Sequence, residues 1–241
     1  MKKLFLVLTT FVTLAAFAQD KPTITDANAQ KRTLSGSFTA ISVTSGVELY
    51  LTQGNEESIA VSASENKYLE KFKTEVENGT LKIYYDNKVI NWNGNERKQL
   101  KAYVSFKALE KLSAGGGADV IMSGSLNSET LVLKFTSGSH FNGVVKSTTV
   151  TIDQSSGSHI DISGTTSKLN VEVSSGAQFR GFDFATDYCE AKATSGASVR
   201  ITINKELSAK ANSGGGVKYK GEAVIKDINI SSGGSVKKAT K

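Results

Sequence analysis

Thr136-Ser137-Gly138-Ser139-His140-Phe141 is a phrase that keeps returning along the second half of this chain. It reads SSGSHI at 155–160, SSGAQF at 174–179, TSGASV at 194–199, NSGGGV at 212–217 and SSGGSV at 231–236. A degenerate copy, AGGGADV, ends at Val120. The phrase glycines are Gly117, Gly138, Gly157, Gly176, Gly196, Gly214 and Gly233, so the steps are 21, 19, 19, 20, 18 and 19 residues. A period near 20 with strand-like content predicts a stacked solenoid, in which each repeat buries its apolar face only against its neighbours.

Counted from each phrase glycine, apolar residues fall at alternate positions on both sides. After it come Phe141 and Gly143, Ile160 and Ile162, Phe179 and Gly181, Val199 and Ile201, Val217 and Tyr219. Before it come Leu131, Leu133 and Phe135, then Leu169, Val171 and Val173, then Cys189, Ala191 and Ala193, then Leu207, Ala209 and Ala211. A period of two is a β-strand with one buried face. Each rung is therefore expected to carry a strand on either side of a Ser-Gly corner, with a third, less regular stretch closing the loop. At the corner, glycine permits a turn that a Cβ would strain, and the corner serine hydroxyl is expected to satisfy free backbone groups. Serine nucleophiles would need a base and an orienting acid at each corner, which the chain does not supply.

The amino-terminal half reads as the same body with excursions. SVTSGVELYL at 42–51 holds another corner, Ser45-Gly46, and residues 56–63 alternate again. Residues 66–73 read as a short helical piece. Residues 81–85 follow the turn Asn78-Gly79 as a strand, 87–98 form a polar loop holding Trp92, and 100–112 return as one strand. The reading is one all-β domain over 34–241, with regular repeats over 113–236.

Residues 1–18 read as a signal peptide: Lys2 and Lys3, an apolar run, and Ala16-Phe17-Ala18 as the cleavage site. The chain is expected to be exported and cut after Ala18, to the periplasm or the cell surface, with 19–33 as a flexible leader. Nothing downstream is long and apolar enough to span a membrane. Loss of the two lysines lowers the formal charge from +6 to +4, an excess that does not by itself select a partner. The one cysteine, Cys189, forms no internal disulfide, so stability must come from packing and backbone ladders. Twenty-two glycines against one proline fit many tight turns between strands.

FTAISVTSGVELYLTQG at 38–54, LEKLSAGGGADV at 109–120 and the recurrent Ser-Gly corners resemble an exported family, the putative auto-transporter adhesin, head GIN domain proteins. The resemblance implies a right-handed parallel β-helix, similar in shape to pectin-lyase-like solenoids but without their catalytic residues. It also implies an adhesin-like role. A translocator barrel, which an auto-transporter would need, is not evident.

Two outward columns are candidate sites. Four residues after the corner glycine stand Asn142, Asp161, Arg180, Arg200, Lys218 and Lys237. The cations Arg180, Arg200, Lys218 and Lys237 would form an electropositive stripe for an acidic glycan or lipopolysaccharide phosphate, with no specific nucleic acid implied. Salt screening and the nearby Glu172 and Glu190 would weaken such a field. Two residues after the glycine stand Asp119, His140, His159 and Gln178, a weak candidate metal column, since two imidazoles and a carboxylate lie at one strand spacing. No cofactor is implied. An enzyme acting on glycans would need converging acids, and Asp119, Asp153, Asp161 and Glu172 are expected not to converge, which argues against catalysis. The alternative to a binding module is a structural cell-envelope protein joined through its ends or to a surface protein. The charged tail at 236–241 is expected to oppose such growth and keep a monomer or small oligomer.

Overall fold

Why the repeat folds as it does is visible at its corners in a computed structural model that describes residues 26–86 and 97–239. The expected signal segment and Trp92 lie outside the described residues. At seven of the corners, serine and glycine both adopt positive φ: Ser45 66° and Gly46 69°, Ser137 54° and Gly138 70°, Ser156 53° and Gly157 70°, and likewise on to Ser232 47° and Gly233 75°. Two consecutive left-handed residues make a type I′ turn, closed here by Ser139 N–H donating to Thr136 O at 3.2 Å. The corners also stack: Gly138 N–H donates to Ser156 O and Gly157 N–H to Ser175 O, each at 3.0 Å.

The hydroxyl that ties the corner belongs to a different serine from the one expected. Ser137 and Ser156 are exposed, whereas Ser139 and Ser158, just after the glycine, are fully buried. Ser139 Oγ donates to Ala114 O one rung below at 3.0 Å, and Ser158 Oγ to Phe135 O at 3.0 Å. A side chain pointing inward from the turn reaches the neighbouring carbonyl; one at the turn's crest cannot.

The strands run in order as follows. β1 (Gln30–Arg32), β2 (Ala40–Val43), β3 (Glu48–Gln53) and β4 (Ser58–Ser62) precede the short α1 (Asn66–Leu69). β5 (Phe72–Glu77) and β6 (Thr80–Tyr85) form an antiparallel hairpin about Asn78-Gly79. β7 (Lys101–Phe106) and β8 (Lys111–Ala114) follow, then the long strands β9 (Asp119–Phe135), β10 (His140–Gln154), β11 (His159–Val173), β12 (Gln178–Ala193) and β13 (Ser198–Ala211). β14 (Gly216–Lys220), β15 (Val224–Ile230) and β16 (Ser235–Lys238) end the described chain. β9 to β13 pair in parallel in sequence order, giving a solenoid of about seven turns.

Three expectations are corrected. The irregular third stretch of each rung does not exist in the regular part, where one strand of 14–17 residues runs from corner to corner. Its midpoint bend is held by a ladder of Ser128, Ser147, Thr166 and Thr186, which are mutual register partners. Thr166 Oγ1, for example, donates to Thr148 O one rung below at 3.2 Å and to Lys168 O at 3.1 Å. Residues 100–112 are two strands, because β7 stacks beside β3 and β8 beside β2, on opposite arms of the first corner. The leader expected over 19–33 contains β1, antiparallel to β4. It is anchored by Asp26, whose carboxylate accepts from Ser62 Oγ at 2.5 Å and Tyr103 Oη at 3.0 Å. The Ser62 hydroxyl, then the Asn28 N–H, hold the Asp26 carboxyl below its ordinary range.

Inward residues stack as columns. Phe141, Ile160, Phe179, Val199 and Val217 line one arm, and Leu131, Val150, Leu169, Cys189 and Leu207 the other, all buried. The arms meet across the core, where the Phe135 and Phe141 rings lie 5.7 Å apart, edge to face. Gln154 breaks one apolar column, and its Nε2 donates to Ser158 O and Gln178 O at 2.9 Å each. Burial, then the nearby Glu190 charge, push the Cys189 thiol up to about 12. Iodoacetamide at neutral pH should therefore leave the folded protein unlabelled and label the unfolded chain fully; rapid labelling of the folded form would contradict this burial.

The two ends differ. At the amino-terminal end the ladder finishes in the short polar edge strand β1 beside β4, and Tyr68 and Leu69 of α1 and Phe72 of β5 are buried. At the other end, β16 continues the first arm over β14, but no described strand pairs with the outer side of β15. Lys237 and Lys238 lie on β16 and do not pair with β15, and residues 240 and 241 of the charged tail lie outside the described residues.

Candidate functional site

The I′ corner fixes the register of everything after it, so outward residues at equal distance from the glycine align across rungs. Asp119, His140, His159, Gln178 and Ser198 form one column; Asn142, Asp161, Arg180, Arg200, Lys218 and Lys237 form the next. Stacked strands set neighbours in each column about 4.8 Å apart.

Contrary to expectation, two of the acids do converge. His140 Nδ1 lies 3.1 Å from Asp119 Oδ1, and its Nε2 lies 2.9 Å from Asp161 Oδ2. Asp161 also faces Arg180 at 3.6 Å, and the guanidinium donates to Gln178 Oε1 at 2.9 Å. The sequence placed Asp119 and Asp161 two rungs apart in different columns; an imidazole on the rung between them is long enough to meet both. The geometry spends both His140 nitrogens on carboxylates, and His159 has no side-chain partner among the described residues. No group of three His, Cys, Asp or Glu side chains among the described residues is arranged around a shared metal ion. Asp119, His140 and His159 thus stack in one column without converging on a common point, and both ring nitrogens of His140 face carboxylates.

The basic column behaves differently. Arg180 has its carboxylate, but among the described residues Arg200, Lys218 and Lys237 form no ion pair. Glu172, expected to temper the stripe, is taken by Lys192 at 2.6 Å on the other arm. Like charges directly opposite in a sheet repel, so this column carries an uncompensated cost that an anion would relieve.

Beside the column lies a cleft of about 280 Å³, lined by Asn142, Asp161, Arg180, Phe182, Asp183 and Arg200 among others. A break in register makes it. Between Gly181 and Ala185, β12 carries residues without partners on β13, and this lifts Phe182 out of the ladder. Thr202 Oγ1 pins the lifted segment by donating to Phe182 O at 2.7 Å, and Lys220 Nζ sits 4.4 Å from the Phe182 ring centroid. Neither Phe182 nor Asp183 stood out in the sequence, although the 20-residue step from Gly176 to Gly196, beside one of 18, is its trace.

Towards the amino terminus the same column continues as Ile121, Tyr50 and Tyr103. The two tyrosine rings stack at 5.1 Å with planes 10° apart. Their hydroxyls bond Glu48 and Asp26 respectively. The Tyr50 phenol is pushed up to about 12 chiefly by its bond to Glu48, and the Tyr103 phenol to about 12 chiefly by burial. One outward column thus grades from aromatic, through acidic and polar, to cationic.

Among the described residues, no helix is long and apolar enough to cross a membrane. The fold is shared with solved structures. A putative adhesin from Bacteroides fragilis NCTC 9343 aligns with a TM-score of 0.79 at 15% identity, covering 88% of this chain and 96% of that one. A putative adhesin from Parabacteroides distasonis ATCC 8503 gives 0.68 at 13%, covering 88% and 96%. A protein from that organism described as a putative lipid binding protein gives 0.62 at 19%, covering 89% and 98%. No curated protein matches the chain. The family described as "Putative auto-transporter adhesin, head GIN domain" matches residues 37–223. With the corners, the rungs and that match in agreement, the chain belongs to this family.

Proposed function

We propose that this chain is an exported, non-catalytic adhesin-like module that holds an acidic glycan or another cell-surface polyanion, such as lipopolysaccharide. The ligand lies along Arg180, Arg200, Lys218 and Lys237, with the Phe182 cleft as its anchor point. One observation carries the reading: Arg200, Lys218 and Lys237, three successive cations of one outward column, form no ion pair among the described residues. Phe182 adds an aromatic face beside Arg180 and Arg200, and Asp161 and Asp183 add acceptors for hydroxyl groups. The Ser137-type corner hydroxyls stand exposed on turn crests, an arrangement suited to a turn rather than to nucleophilic chemistry. Export follows from the segment before Gln19, to the periplasm or the cell surface.

A binding screen of residues 19–241 against acidic glycans and lipopolysaccharide, at low and physiological salt, tests the reading. Selective binding should survive physiological salt. The triple variant Arg180→Gln, Arg200→Gln, Lys218→Gln should keep its fold and bind at least about tenfold more weakly, a loss of about 1.4 kcal/mol. Equal binding by the variant would sink the proposal, as would binding that salt abolishes whatever the glycan. A structural cell-envelope role through protein association is the second reading, favoured by the uncovered strand β15.

A further inference from the structure

Among the described residues, the large apolar side chains that stand exposed are Tyr188 and four on β15. These four are Val224 at 69%, Ile225 at 40%, Ile228 at 39% and Ile230 at 50%. Three of them are core residues by position. Ile225, Ile228 and Ile230 stack on Leu207, Ala209 and Ala211, which are buried to 1% or less one rung below. Across the rung, Val236 stacks on buried Val217 and is itself only partly covered. The exposed surface is a cross-section of the solenoid core, with an unpaired strand edge along one side. A contiguous apolar patch beside a free edge is a surface built to be covered.

We propose that β15 joins two copies of this chain, end to end about a two-fold axis. A two-fold across the end of a solenoid sets the two edge strands antiparallel. The sequence Ile225-Lys226-Asp227-Ile228 is self-complementary under that operation. Pairing centred between Lys226 and Asp227 places Ile225 opposite the second copy's Ile228 and Lys226 opposite its Asp227, twice over. The register irregularity of β15 fits this pairing, because it leaves two residues between the inward Ile225 and Ile228 on both strands. Lys226 reaches Glu206 at 3.5 Å on its own rung and is largely exposed, so it remains available across the interface. The edge at the other end, β1, is three polar residues long and carries no exposed apolar face to match, so association stops at two copies and does not extend into a filament. The inference does not depend on the polyanion reading, since β15 carries no member of the basic column.

Sedimentation velocity on residues 19–241 over a concentration series tests it. The parent chain should shift with concentration to twice the monomer mass, and Ile228→Asp should abolish the shift. Positions 226 and 227 are exposed, and Lys226→Asp gives up only a solvent-exposed pair with Glu206, so the folds stay intact. Each alone should self-associate at least tenfold more weakly, since it sets like charges opposite one another. An equimolar mixture of the two should recover a species of twice the monomer mass containing one copy of each, because the opposed charges are again unlike. A parent mass that stays at the monomer, growth beyond two copies, or single charge variants that associate like the parent would overturn the proposal.

Discussion

Gly164→Ala is expected to lower the melting temperature by about 8–16 °C, while Gly176→Ala, twelve residues on, lowers it by only about 3 °C. Both glycines have positive φ, 111° and 72°. They differ in what a Cβ would meet. At Gly176 the space is open, so the cost is the backbone strain of one left-handed alanine, about 1 kcal/mol. At Gly164 the Cβ would lie 2.1 Å from Val145 O and 3.0 Å from Val145 C, both backbone atoms of the rung below. No side chain can swing aside there. The rungs must part or the turn must distort, for about 4 kcal/mol with backbone strain and overpacking together. At this size each kcal/mol moves the melting temperature by about 2–4 °C. Equal shifts for the two variants would mean that stacking of the rungs does not constrain Gly164.

Phe179→Ala should cost about 3–5 kcal/mol, and its effect should not add to that of Gly181→Ala. Phe179 is fully buried, and its ring lies across the glycine two residues on. A Cβ on Gly181 would stand 2.7 Å from Phe179 Cε1 and 3.0 Å from Cζ. Alone, the alanine therefore overpacks the core by about 1–3 kcal/mol. With the ring gone, most of that clash disappears and the methyl fills part of the cavity. Chemical denaturation of the two single variants and the double variant should show a coupling of about 1–2 kcal/mol. Additivity within about 0.5 kcal/mol would rule out the ring-over-glycine packing. At Gly143 a Cβ would likewise meet the preceding ring, Phe141 Cζ at 3.0 Å, but would first meet Met122 Cβ at 2.6 Å, so both inward glycines sit where a side chain has no room.

Much of the candidate site was legible before any coordinates. Both outward columns, residue for residue, follow from counting from the corner glycine, because stacked rungs with a common turn must share a register. Less visible was anything that depends on departures from the period. The extra residues of β12 that lift Phe182 appear only as a step of 20 beside one of 18, and a count does not say where in the rung the excess emerges. The Ser128–Ser147–Thr166–Thr186 ladder was open to detection, since these hydroxyl residues stand ten positions before successive corner glycines. It passed unnoticed because single hydroxyl residues, even the buried Thr166 and Thr186, add nothing to a periodic apolar signal. The chain of contacts from Asp119 through His140 and Asp161 to Arg180 was hidden for another reason: which way a polar side chain leans depends on its neighbours on several rungs at once.

The sequence by itself determined the solenoid, the place of every corner, the inward and outward faces and the composition of the two columns. Each of these is a local consequence of a period of two within strands and of about 19 between turns, and local periodicity is written directly in the chain. Tertiary structure alone decided which serine ties the corner, where the ladder breaks to open a cleft, how the acids share His140 and which end of the solenoid is left uncovered. Those depend on contacts between residues a whole rung or the whole chain apart, where the outcome turns on distances of a few tenths of an ångström and on which strand finds a neighbour.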